Sequence, residues 1–221
     1  GSNSWSKPPS VAEPPNNGDK GGSLASDGVR FVYALLDAKS DNFYRYDSST
    51  DQWSQLPDFT DPSDPSARAG DGMSLVYAGG SLYFLLGGNN DNFYRYSGGS
   101  WSSLSPAPGD VSDGGSLVYT GGDRLFALGG GGSEFWSYSL SGHDWQTLSA
   151  TPFSVGSGGS LAYAGGDYLY AVQGGGSSGF WRYLISDPIY DISATGGGSS
   201  TQVRARIGGS GSATVIWWLI Q

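Results

Sequence analysis

The chain of 221 residues carries 11 Lys and Arg against 20 Asp and Glu, a formal charge of −9, and has no cysteine. That balance excludes nucleic acid as a partner, because a phosphate backbone needs a concentrated basic footprint, and the absence of thiols excludes disulfides and cysteine-ligated metal. With 38 Gly, 8 Trp, 14 Tyr, 9 Phe and only 14% charged residues, the composition is that of a turn-rich β protein packed with rings, and the length suits one all-β domain over residues 1–221.

In chain order, Gly1-Ser2 reads as a scar of cloning. Trp5, with Pro8, Pro9 and Gly21 after it, copies the passage that later separates one unit from the next, so residues 3–8 are expected to be an outer strand. Four units follow, at about 21–69, 70–113, 114–157 and 158–195. Each opens on Gly-Ser-Leu, at Gly22-Ser23-Leu24, Gly115-Ser116-Leu117 and Gly159-Ser160-Leu161, with Met73-Ser74-Leu75 as the variant. We term this strand a. A Gly turn leads to an apolar run, such as Leu82-Tyr83-Phe84-Leu85-Leu86, whose β-forming residues predict strand b. Strand c is an aromatic signature: Phe43-Tyr44-Arg45-Tyr46, Phe93-Tyr94-Arg95-Tyr96, Phe135-Trp136-Ser137-Tyr138 and Phe180-Trp181-Arg182-Tyr183, at steps of 50, 42 and 45 residues. Strand d carries a Trp with a Leu three positions on, at Trp53, Trp101 and Trp145, and Tyr190 takes that place in the fourth unit. A period of 40 to 50 residues built in this way predicts the blades of a β-propeller, units that bury their faces only against one another.

This order resembles the kelch repeat over roughly residues 21–195. The glycine pair that follows strand b in kelch units is read at Gly87-Gly88, Gly129-Gly130 and Gly174-Gly175, and the first unit departs with Asp37-Ala38. The resemblance implies four-stranded antiparallel blades. Beyond residue 195, Thr201 to Ile207 and Ala213 to Gln221 read as a hairpin, strands a and b of a fifth unit whose outer strand would come from residues 3–8, giving five blades with the last shared by both ends (3–20 and 196–221). The rival is four blades with an appended hairpin. A third arrangement completes the ring between two chains through their carboxyl-terminal strands, so the chain is a monomer or such a homodimer.

Connections b to c and d to a emerge on one face, and there the loops vary most. Any ligand is therefore expected at Asp37, Lys39 and Asp41 of the first unit, Asn89, Asn90, Asp91, Asp110 and Asp113 of the second, and Glu134 of the third. No cofactor, metal ion or catalytic residue is assigned. Carboxylates at Asp58, Asp61, Asp64, Asp71, Asp110 and Asp113 have a Ca²⁺-compatible chemistry without the spacing of a known loop. His143 stands alone in a turn on the opposite face, so neither a Ser-His-Asp triad nor a multi-His zinc site can be assembled. The favoured function is a non-catalytic module that binds a protein or glycan, in an exported or cell-surface setting, with no membrane span because no apolar run is long enough. The alternatives are a carbohydrate-active enzyme of glycosidase or sialidase type using loop carboxylates, and a purely structural, self-associating domain.

Overall fold

A computed structural model describes residues 22–36, 42–62, 64 and 66–185, together with the backbone of two further strands, Ile189–Gly196 and Ser199–Arg206. The fold is an all-β propeller of four blades. Blade one consists of β1 (Gly22–Ser26), β2 (Phe31–Leu36), β3 (Phe43–Asp47) and β4 (Gln52–Gln55). Blade two has β5 (Ser74–Ala78), β6 (Ser81–Leu85), β7 (Phe93–Ser97) and β8 (Ser100–Ser103). Blade three has β9 (Ser116–Tyr119), β10 (Arg124–Leu128), β11 (Phe135–Ser139) and β12 (Asp144–Thr147). In each, consecutive strands pair antiparallel in sequence order.

The fourth blade departs from expectation. Among the described residues it holds three strands, β13 (Ser160–Tyr163), β14 (Tyr168–Gly174) and β15 (Ser177–Leu184). Tyr190, expected on its outer strand, lies instead on β16 (Ile189–Gly196), which pairs with β17 (Ser199–Arg206) and sets Tyr190 opposite Ala205. A hairpin is thus present, but it pairs 199–206 with the segment before it, and the strand expected over 213–221 lies outside the described residues. A two-residue Gly-Gly link between strands closes a local ladder at little entropic cost, and this favours β16 pairing forward with β17. Residues 3–20 and 207–221, on which the shared fifth blade depended, lie outside the described residues.

The blades are joined by one device used three times. Phe43 meets Tyr96 of the next blade edge-on at 4.9 Å, Phe93 meets Tyr138 at 4.9 Å, and Phe135 meets Tyr183 at 4.8 Å. The strand-d indoles complete two of these joints, Trp101 at 5.1 Å from Phe43 and Trp145 at 4.8 Å from Phe93. Nearer the axis, the hydroxyls of three opening serines accept a backbone N–H from the following blade: Leu75 to Ser23 (2.9 Å), Leu117 to Ser74 (2.9 Å), Leu161 to Ser116 (3.0 Å). This is why Ser recurs beside Leu, since the buried N–H of the neighbouring strand needs an acceptor. The repeat ends where the neighbours end. Leu24 on the first blade is 64% exposed and Phe180 on the fourth 67%, whereas Leu75 and Phe93 are 4% and 1%.

Glycines set the loop face. The N–H groups of Gly88, Gly131 and Gly175 donate to the carbonyls of Asp71, Asp113 and Ser157, locking each b-to-c turn onto the d-to-a turn beside it. These glycines and the one before each have positive φ, between +61° and +73°. The pair in blade three is therefore Gly130-Gly131, one residue later than the sequence reading placed it.

Candidate functional site

Two depressions open on the face where the b-to-c and d-to-a loops emerge. The larger is a groove of about 550 Å³ between blades two and three, lined by Asn89, Pro108, Asp110, Ser112, Glu134, Trp136 and the glycines around residue 131. Three expected residues, Asn89, Asp110 and Glu134, come together here from three different loops. The loops are held by backbone hydrogen bonds. Asn89 N–H donates to Val111 (2.9 Å), Val111 N–H to Asn90 (3.0 Å), Ala107 N–H to Asp91 (2.8 Å), Ser112 N–H to Gly129 (2.8 Å) and Gly129 N–H to Glu134 (3.0 Å). Asn90 and Asp91 thus act through their backbone, and the Asn90 side chain accepts the Asn92 N–H at 2.7 Å, so neither side chain lines the groove. Asn89 has φ +60°, a left-handed conformation that asparagine tolerates better than most residues.

The groove floor depends on a substitution between blades. Tyr94 of blade two turns its hydroxyl to the buried Asp61, whereas the equivalent residue in blade three is Trp136, which lies against Gly109 and Gly129. A Cβ at Gly129 would stand 2.8 Å from the Trp136 ring, so glycine is needed to admit the indole. The site therefore offers an aromatic edge, an amide that both donates and accepts, a hydroxyl and two carboxylates. That set suits a polyhydroxylated or cationic surface.

The smaller depression, about 220 Å³, lies on the axis and is lined by Gly22, Asp71, Met73, Asp113, Ser157 and neighbouring glycines, so the d-to-a side of every blade reaches it. Asp113, expected at the ligand face, is here, and accepts the Ser157 hydroxyl at 2.7 Å. Asp71 and Ser157 were not among the expected site residues. Their signal was present, because Asp71-Gly72, Asp113-Gly114 and Ser157-Gly158 hold the same place before each Met/Gly-Ser-Leu opening.

Asp37, Lys39 and Asp41 lie outside the described residues. The remaining acidic residues disperse: Asp58 accepts the Gln55 amide (3.1 Å), Asp61 accepts the Tyr94 hydroxyl, and Asp64 accepts from Ser66. Among the described residues no three His, Cys, Asp or Glu side chains gather so as to hold a metal ion. Burial, reinforced by Asp61, pushes the Tyr94 phenol well above its ordinary range. On the opposite face a further opening between blades one and two is lined by Tyr33, Arg45, Tyr77 and Tyr96. No helix among the described residues is long and apolar enough to cross a membrane.

No protein-family model matches the chain, and no curated protein is similar to it in sequence. Solved structures do share its fold. The structure of YjhT is 16% identical with a TM-score of 0.55 over 76% of this chain and 66% of its own. A protein of unknown function from Bacteroides thetaiotaomicron VPI-5482 is 13% identical with a TM-score of 0.56, over 73% of this chain and 46% of its own. The chain thus spans less than two thirds of the length of either structure. The likeness is one of architecture, a β-propeller, and that fold is compatible with a binding module.

Proposed function

We propose that the protein is a non-catalytic propeller of kelch type that displays loops to a protein or glycan partner. The kelch reading is supported by the glycine pairs that tie neighbouring loops, at Gly87-Gly88, Gly130-Gly131 and Gly174-Gly175, and by the aromatic strand with its following Trp. The observation that carries the binding reading is the groove in which Asn89, Asp110 and Glu134 surround the edge of Trp136. Because the loops are tied by backbone bonds before any partner arrives, little of the binding energy is lost to ordering them.

The test is a glycan array and a surface-display peptide screen on the intact chain, followed by the double variant Asp110→Ala, Glu134→Ala. Loss of at least tenfold in affinity with an unchanged melting temperature supports this assignment. Binding unaffected by the double change removes the groove from it, and turnover of chromogenic glycosides abolished by Asp110→Asn or Glu134→Gln replaces it with an enzyme.

A further inference from the structure

On the face away from the variable loops, one arginine lacks the internal acceptor that its counterpart has. Phe31, Ser81, Arg124 and Tyr168 hold one place in the four blades, at the start of strand b, and Arg45, Arg95, Ser137 and Arg182 hold the place beside it on strand c. In blades two and three the two side chains satisfy one another: Arg95 donates its Nε–H to the Ser81 hydroxyl at 3.0 Å, and Arg124 donates to the Ser137 hydroxyl at 3.1 Å. In blade one the partner is a ring. The Arg45 guanidinium lies over Phe31 at 4.4 Å, and its buried Nε has no hydrogen-bond partner among the described residues. Arg182 also lies over a ring, Tyr168 at 4.6 Å, but Arg182 is exposed and water can serve it. A ring face attracts the cation without accepting its in-plane N–H groups, so the donors of Arg45 stay open.

Arg45 lines the opening of about 440 Å³ between blades one and two, and among the described residues of that lining it alone is charged. Tyr33, Tyr77 and Tyr96 stand around it. The turn after Tyr77 frees its hydroxyl. Between the ladder partners Tyr77 and Leu82 there are four residues, 78–81, against five in blades three and four, 120–124 and 164–168. In those longer turns Tyr119 donates to the Gly122 carbonyl (3.1 Å) and Tyr163 to Gly166 (3.0 Å), whereas Tyr77 has no such acceptor among the described residues. Burial raises the Tyr33 and Tyr96 phenols and Arg45 acts against that rise, so its charge is felt at both rings, and both hydroxyls remain protonated donors at neutral pH. Leu56 and Pro57 add an apolar wall.

We propose that this opening binds a small carboxylic acid with a ring-shaped body, its carboxylate paired with Arg45 and the Tyr77 hydroxyl and its ring against Tyr33, Tyr96 and the Leu56-Pro57 wall. A guanidinium fork matches a planar carboxylate with two parallel hydrogen bonds, and it supplies the acceptor that Phe31 does not. The volume falls within the roughly 300–1,000 Å³ of small-molecule sites. The carboxylate felt at Tyr33, Asp27, is already engaged by the N–H groups of Val29, Arg30 and Phe31, so it does not compete for Arg45. This site shares no residue with the loop-face groove and does not depend on it.

The test uses the full chain, labelled with ¹⁵N, and benzoate as the probe. In the arginine side-chain spectrum the Arg45 Nε–H signal should move downfield saturably as benzoate is added, while that of Arg95, already bonded to Ser81, stays in place. Arg45→Gln should weaken benzoate binding at least tenfold. Tyr77→Phe should weaken it at least threefold with an unchanged melting temperature, which keeps the test available if Arg45→Gln fails to fold. An Arg45 signal indifferent to benzoate, an equal response to neutral benzamide, or inorganic phosphate binding as tightly as benzoate overturns the assignment.

Discussion

Truncating Phe93 to Ala tests whether the inter-blade joint is the principal source of stability. Phe93 is 1% exposed and its ring lies 4.8 Å from Trp145, 4.9 Å from Tyr138 and 5.9 Å from Tyr83. Removing a buried phenylalanine side chain costs about 3–5 kcal/mol, and each lost edge-on ring pair contributes about 0.5–1.5 kcal/mol beyond burial, so the upper part of that range is expected. Phe180 holds the same place in the repeat but is 67% exposed and, among the described residues, stacks only on Tyr170, at 5.7 Å. With about a third of the side chain covered, its truncation is expected to cost about 1 kcal/mol. Urea unfolding followed by tryptophan fluorescence, with the slope m held constant across variants, measures both. Phe93→Leu, expected to cost about 1–2 kcal/mol, keeps the comparison available if Phe93→Ala fails to fold. Equal losses at positions 93 and 180, within about 0.5 kcal/mol, would refute the reasoning, because the cost would then follow the repeat position and not burial between blades.

The two glycines Gly72 and Gly80 share a left-handed backbone, φ +83° and +82°, but a Cβ at Gly72 would collide with the Ser112 carbonyl while Gly80 has nothing within 4 Å. Gly80→Ala is expected to lose about 1–2 kcal/mol from backbone strain alone, and Gly72→Ala to lose more or to fail to fold, as read by thermal melting. Ser74→Ala leaves the buried N–H of Leu117 without its acceptor and is expected to cost about 1–3 kcal/mol, whereas Ser160→Ala, in the blade with no successor among the described residues, should be near neutral. Burial pushes the Tyr138 phenol up to about 12, and its hydroxyl has no hydrogen-bond partner. A raised phenol contributes stability that is complete below the unfolded value near 10 and is lost as pH rises through the folded value. Melting temperature should therefore fall between pH 10 and about 12, and Tyr138→Phe should soften that fall while leaving stability at pH 7 unchanged or about 1 kcal/mol higher.

The joints were legible in the sequence because each is a repeated residue type at a repeated place. Phe43, Phe93 and Phe135 occupy equivalent positions between sheets, as the aromatic period implies. Phe180 differs because its surroundings depend on whether another blade follows, which no local pattern encodes. The glycine pair of blade three was misplaced by one residue since a run of four glycines, 129–132, carries no register of its own; the Ser112 N–H to Gly129 hydrogen bond settles it. The fourth outer strand was misread for a related reason. Ile192-Ser193-Ala194-Thr195 matches the blade-three pattern, yet the Gly-Gly link at 197–198 is a hairpin signal, and the local ladder prevails over the blade edge. Of the groove, Asn89, Asp110 and Glu134 followed from loop variability, while Trp136 read as core, as its 2% exposure agrees. That its edge reaches a groove depends on Gly109 and Gly129, residues that a pattern of side chains passes over.

Stability and recognition are kept on separate atoms in this chain, and that separation is what makes display a coherent function. The joints use side chains, Phe against Tyr and Trp, Ser against a backbone N–H, at positions that scarcely change from blade to blade. The loop face is held by the reverse arrangement, in which backbone carbonyls and amides of Asp71, Gly88, Asp113 and Gly131 hold the turns and leave the side chains between them free to differ. Exchange of an exposed loop side chain such as Asp110 or Glu134 should then alter folding free energy by no more than about 0.5 kcal/mol, whereas a joint residue carries several times that. A surface whose chemistry can be rewritten at so little cost to the scaffold can be fitted to a partner blade by blade. The one exception is informative: at Asp113 the backbone carbonyl ties a loop while the carboxylate accepts from Ser157, so changes there should disturb fold and axial cavity together.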